Sequence, residues 1–151
     1  MSAGSRDGLP IIRSAKPLRA YRIGVVWKDG RRGEVDLAPQ ILRYRLYRPL
    51  RRDSRLFESL SVVDGGIALA WLDGSLDISA DTVAALERTQ SMSAKEFRNR
   101  LDRLGLSFDA AAAAFDISRR QIAYYSAGDK PIPRHVVLAL RGFEAEMGEG
   151  V

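Results

Sequence analysis

The chain has no cysteine among its 151 residues, which excludes disulfides, thiol nucleophiles and thiolate metal sites. It has a single histidine, His135, which reads as a surface or capping residue with no catalytic partner. No apolar run approaches the length of a membrane span, and Met1–Pro10 lacks the apolar core of a signal peptide. A cytoplasmic protein with no membrane contact is the expectation. Gly65-Gly66 lacks the longer glycine pattern and following lysine of a phosphate loop. Asp29, Asp36, Asp64, Asp73 and Asp77 are read as sitting in or beside turns, where aspartate has a conformational job. No histidine or cysteine accompanies them. These absences predict no catalytic site, no metal site and no cofactor.

What is present is basic charge. The formal net charge is +5 and the pI about 9.9, a balance that favours polyanion partners without demonstrating one. Both halves carry more Lys and Arg than Asp and Glu, and Glu144, Glu146 and Glu149 follow at the end. Arg43, Arg45, Arg48, Arg51, Arg52 and Arg55 crowd one segment, with Tyr44 and Tyr47 interleaved. Such a cluster suits a nucleic-acid backbone or an acidic protein partner. A solvated basic loop is the ordinary alternative.

The first half has the grammar of strands and hairpins. Tyr21, Ile23, Val25 and Trp27 alternate with Arg22, Gly24, Val26 and Lys28, the period of a half-buried strand. Asp29-Gly30 supplies a tight turn, and Glu34–Leu37 suits the returning strand. Short helices are expected over Pro39–Tyr44 and Asp53–Leu60, the latter capped by Asp53. A second hairpin pairs Ser61–Val63 with Ile67–Trp71 across Asp64-Gly65-Gly66. Asp73-Gly74 turns into Leu76–Ile78, and Asp81 is read as the cap of a helix through Glu87. Polar Arg88–Met92 is placed as a linker.

Beyond it the pattern becomes helical. Ser93 and Glu96 form a capping-box pattern, Phe97, Leu101 and Leu104 share a face, and Gly105 stops the helix. Ser107 caps the next helix, with Asp109 at its positive end. Five alanines follow, Ala112 falling where two helices would cross closely. Phe115 and Ile117 bracket a turn, and Ser118 caps a helix whose Ile122 and Tyr125 turn inward together. Gly128 ends it. Ser118 and Gln121 form a second capping-box pattern, so Gln121 has two candidate jobs.

The set Ser107, Ala112, Phe115, Ile117, Ser118, Ile122, Tyr125 and Gly128, with Pro131-Ile132-Pro133-Arg134 leading into Val136, Val137, Leu138 and Leu140, resembles the helix-turn-helix of the lambda-repressor-like (XRE) regulators. The resemblance covers about residues 93–147. It implies a helix in the major groove with its N-terminal side chains at the bases. Arg119, Arg120, Gln121 and Tyr124 are then the candidate base contacts, with Arg120 and Tyr124 facing most directly outward. Arginine can hold guanine bidentately and glutamine adenine. Ser107, through backbone N–H groups there and at Phe108, together with Lys130 and Arg134, is the candidate phosphate set. The sequence departs from the pattern at Asp116, where the family usually has glycine, and at Ser126, where it often has glutamate. That family's domain usually has five helices against the four expected here. A partner subunit or the first domain is therefore expected to cover an open apolar face.

The first half has its own resemblance. Tyr21-x-Ile23-x-Val25-x-Trp27-x-Asp29-Gly30, Val35-Asp36-Leu37-x-Pro39, Pro49-Leu50, Phe57 and Ile67-x-Leu69-x-Trp71-x-Asp73-Gly74-x-x-Asp77-Ile78 are similar to a small bacterial family of uncharacterised α+β domains. Its members occur alone or fused to a helix-turn-helix, and some resemble parts of toxin–antitoxin-like gene pairs. That implies a fold and a possible protein partner, not a reaction.

The expectation is thus an α+β protein of two domains. Residues 1–90 form a small domain of β-hairpins with short helices, for dimerisation or partner binding. Residues 91–151 form an all-α helix-turn-helix domain. The predicted function is sequence-specific binding of double-stranded DNA by a homodimeric transcriptional regulator. The rival is an antitoxin-like protein-interaction module whose helical part does not bind DNA.

Overall fold

The computed structural model describes residues 8–149. The chain divides into two compact units between Arg88 and Thr89. The fold is α+β: antiparallel sheets in the first unit and helices alone in the second.

The first sheet has strands β1 (Ile12–Pro17), β2 (Arg22–Trp27) and β3 (Arg32–Asp36) in the order β1-β2-β3, all antiparallel. The alternation in β2 is carried through: Ile23, Val25 and Trp27 are buried. Strand β1 has no counterpart in the sequence reading. It is an edge strand in which Ile12 alone is buried, so it has little apolar alternation to detect. Asp29 shapes the β2–β3 turn by accepting from the Arg31 backbone N–H at 3.0 Å. That hydrogen bond and the Arg31 guanidinium hold the Asp29 carboxyl below its usual range.

The second sheet orders β4 (Ser61–Val63), β5 (Ala68–Trp71) and β6 (Leu76–Ser79) as β4-β5-β6, again antiparallel. Central β5 is buried throughout. Asp77, expected beside a turn, lies within β6 and is exposed. Between the sheets in sequence come three short helices: α1 (Ala38–Arg43), a 3₁₀ turn (Arg45–Tyr47) running into α2 (Arg48–Arg52), and α3 (Ser54–Glu58). Asp53 caps α3 as expected. Helix α4 (Ala80–Gln90) follows β6. Its first turn is held by Ser79, whose Oγ accepts from the Thr82 N–H at 3.1 Å, and not by Asp81. It also runs through Gln90, which is buried, into the segment expected to be linker.

Aromatic packing joins these pieces. Phe57 stacks on Trp71 at 5.9 Å and meets Tyr21 edge-on at 5.8 Å. The polar ends of this core are satisfied: Trp71 Nε1 donates to the Phe57 carbonyl at 2.9 Å and Tyr47 OH to the Asp77 carbonyl at 2.8 Å.

The second unit has helices α5 (Ala94–Leu104), α6 (Phe108–Phe115), α7 (Arg119–Ala127) and α8 (Arg134–Glu149). Ser93 caps α5. Its capping box is half-formed: Glu96 reaches Arg100 at 3.0 Å, and Arg100 also holds Glu144 of α8 at 2.8 Å. The core gathers Phe97, Leu101, Ala111, Phe115, Ile122, Tyr125, Val136 and Leu140. Helix α8 brings Phe143 edge-on to Phe115 at 6.3 Å. Among the described residues of this unit, Leu138 and Met147 are the large apolar side chains left exposed. In the far half of α8, Phe143 and Glu144 are the half-buried positions among the described residues, Phe143 packing on Phe115 where an open apolar face was expected and Glu144 pairing with Arg100.

Gly66 is the most closely hemmed of the described glycines in the first unit. It has φ +99°, and a Cβ there would meet the Ile12 carbonyl oxygen. At Gly65, with φ +69°, a Cβ would meet open space. Gly66→Ala should therefore cost about 3 kcal/mol, combining backbone strain with a clash that only strand movement relieves. Gly65→Ala should cost about 1 kcal/mol. Urea unfolding of the two variants checks this, and equal midpoint shifts would remove the Ile12 contact as a constraint.

Candidate nucleic-acid interface

Helices α6 and α7 are joined by three residues, Asp116-Ile117-Ser118, the length of a helix-turn-helix connection. Each end is closed by its own chemistry. Ser107 caps α6 by accepting from the Ala110 N–H at 3.1 Å. Asp116 ends it in the left-handed region, at φ 58° and ψ 45°. The strain expected from replacing glycine is thus real, and aspartate bears it better than most residues. Ala111 and Ala112 are both buried, Ala111 completely, so the small side chain at the crossing is shared between two positions.

Helix α7 packs against both α5 and α6. Ile122 and Tyr125 are enclosed, Tyr125 meeting Phe97 edge-on at 6.3 Å. Ser126 is also buried, and its Oγ has no hydrogen-bond partner. Its carbonyl, one of those left over at a helix end, accepts from Arg98 of α5. Gly128 closes the helix at φ 83°.

These anchors decide what the outer face presents. Arg120 is exposed and makes no ion pair among the described residues. Arg119 is exposed but occupied: its Nε lies 3.1 Å from Asp109 and its guanidinium sits over the Phe108 ring at 5.6 Å. Gln121 is the N3 residue of a complete capping box, its Oε1 accepting from the Ser118 N–H at 3.3 Å. Of its two candidate jobs, the cap is the one formed. Tyr124 is half-buried, with the Lys130 ammonium 4.6 Å from its ring centre. Arg134 opens α8 half-buried and engaged, and His135 beside it is exposed.

The charge of this surface was not apparent from totals. From Ser107 to Lys130 three aspartates (Asp109, Asp116 and Asp129) oppose three cations (Arg119, Arg120 and Lys130). The α6–α7 segment is electrically neutral. The chain's positive charge lies elsewhere, chiefly in Arg43–Arg55, where six arginines face the single aspartate Asp53.

That cluster is not a loop. Arg45–Arg52 is a helical run that buries Tyr47 and Leu50. Arg51 turns back to α1, donating to the carbonyls of Ile41 at 2.9 Å and Tyr44 at 2.6 Å. It is a structural brace and leaves the polyanion set. Arg43, Arg45, Arg48, Arg52 and Arg55 are exposed.

Among the described residues, no His, Cys, Asp or Glu side chains gather in a group able to hold a metal ion. No helix there is long and apolar enough to cross a membrane.

Residues 12–89 match the family model described as "Protein of unknown function (DUF2442)". No curated protein matches the chain. A crystal structure of a "Putative DNA Binding Protein" from Nitrosomonas europaea is 30% identical, over 90% of this chain and 87% of that one, with a TM-score of 0.47.

Relief of the turn strain gives a direct check on the α6–α7 geometry. Asp116→Gly should stabilise the protein by about 0.5–1 kcal/mol, since glycine enters the left-handed region without a Cβ penalty. Asp116→Val should destabilise it by more than that. Chemical denaturation of both reads the result, and a destabilising glycine would mean that the turn has another conformation.

Proposed function

The chain belongs to the DUF2442 family, and from the geometry of its second unit we propose that it is a sequence-specific DNA-binding protein acting as a transcriptional regulator. The observation that carries this reading is the α6–turn–α7 unit. Two buried side chains fix α7 from inside, and the first turn of α7 offers Arg119 and Arg120 outward. Such a helix can enter the major groove with its N-terminal end at the bases. Arg120 is the free guanidinium and takes the base-reading role, suited to guanine O6 and N7. Gln121 acts by holding the helix start, and Ser107 by presenting backbone N–H groups to phosphate. Tyr124 and Lys130 act as a pair at the groove edge. The reading assigns binding and not catalysis. A lone reading helix makes few base contacts, so the proposal includes a homodimer on a two-fold-related site.

The neutral charge of the α6–α7 segment favours a second reading, a protein-interaction module, because DNA affinity comes largely from phosphate neutralisation. Selection from random duplex DNA separates the two. The regulator reading expects a preferred, symmetric sequence; recovery of no consensus would overturn it and leave the interaction module.

Two variants test the roles. Arg120→Ala should lose about 1–3 kcal/mol of discrimination at one base position. A loss equal for all sequences would make Arg120 a phosphate contact. Asp109→Asn should release Arg119 and tighten binding to the selected site by about three- to fivefold at low salt. Unchanged affinity there would show that the Arg119–Asp109 pair does not compete with DNA.

A further inference from the structure

The arginine segment of the first unit has properties that the fold itself does not require. Its excess of positive charge equals the +5 of the whole chain. Arg51 accounts for itself structurally. The other five arginines are exposed and make no ion pair among the described residues. Like charges clustered in one segment repel one another, and a bound polyanion relieves that repulsion.

The geometry narrows the ligand. Arg45, Arg48 and Arg52 are spaced by three and four along one helical run, which places them on one side of it. The buried Tyr47 and Leu50 lock the opposite side into the core. Rises of about 2.0 Å per residue in the 3₁₀ turn and about 1.5 Å in α2 make this a row roughly 12 Å long. Guanidinium groups in a row suit successive phosphates, which they can hold through paired N–H donors. Leu42 and Leu46 are exposed nearby, but single exposed leucines are ordinary on a protein surface. The charge is not.

We propose that Arg45, Arg48 and Arg52, flanked by Arg43 and Arg55, form a second nucleic-acid surface that grips the phosphate backbone of duplex DNA without reading sequence. The site is distinct from α7 and does not depend on α7 being a reading helix. Its phosphate contacts would be separate from those assigned to the backbone N–H groups at Ser107.

The test uses the full chain with a mixed-sequence DNA duplex and, separately, poly-glutamate, each titrated over a range of salt. The wild-type chain should bind the duplex with a steep salt dependence. The triple variant Arg45→Gln, Arg48→Gln, Arg52→Gln should reduce the slope of log K against log salt by about three. Arg120→Ala should leave most of that slope intact, which separates this proposal from the one for α7. Circular dichroism establishes that the triple variant is folded; should it not be, single Arg48→Glu provides the same comparison, with weaker duplex binding expected. Duplex binding unchanged in the variant would overturn the proposal. So would poly-glutamate binding as tight as the duplex and lost with it, which would assign the row to an acidic protein instead.

Discussion

The candidate interface depends on one constraint, the burial of two side chains a single turn apart in a short helix. Ile122 and Tyr125 are enclosed by α5 and α6, and a helix pinned at two points on one face cannot rotate about its axis. Everything on the outer face then has a determined direction. Arg120 faces solvent because Ile122 cannot, and Gln121 lies where it reaches back to Ser118. The surrounding caps serve the same end: Ser107, Asp116, Ser118 and Gly128 set where α6 and α7 start and stop.

Electrostatics distribute the work differently from packing. The α6–turn–α7 segment carries no net charge, and one of its two arginines is tied to Asp109. The segment with the charge belongs to the other unit and is mounted on a short helical run with no groove-reading geometry. Shape and charge are thus separated along the chain. Shape without charge can choose among DNA sequences but hold them weakly; charge without shape can hold them but not choose.

The parts of this fold legible in the sequence are those whose signals are local. The alternation in β2, the glycine turns, the Asp53, Ser107 and Ser118 caps and the inward pair on α7 depend on residues within one or two turns of each other. The parts that were not legible depend on distant partners. Strand β1 has no alternation of its own and exists because β2 offers it a ladder. Glu96 completes no capping box: its carboxylate pairs with Arg100, which also holds Glu144 of α8. Gly65-Gly66 reads as a turn, but only the position of Ile12 distinguishes the two glycines.

The sequence alone determined the α+β class, the Asp29-Gly30 and Asp64–Gly66 hairpin turns, a tight turn between Phe115 and Ile117 and the Ser107 and Ser118 caps on either side of it. These follow from backbone stereochemistry and periodicity, which act between neighbours in the chain. The tertiary structure decided which basic groups are free. Arg51 is indistinguishable in sequence from Arg52, and nothing in the sequence marks Arg119 as engaged and Arg120 as free. Arg51 becomes a brace on α1 and Arg119 the partner of Asp109, because a guanidinium takes whatever acceptor the fold brings within about 3 Å. Whether an arginine can meet a ligand is settled by contacts between separate elements, which no local pattern records.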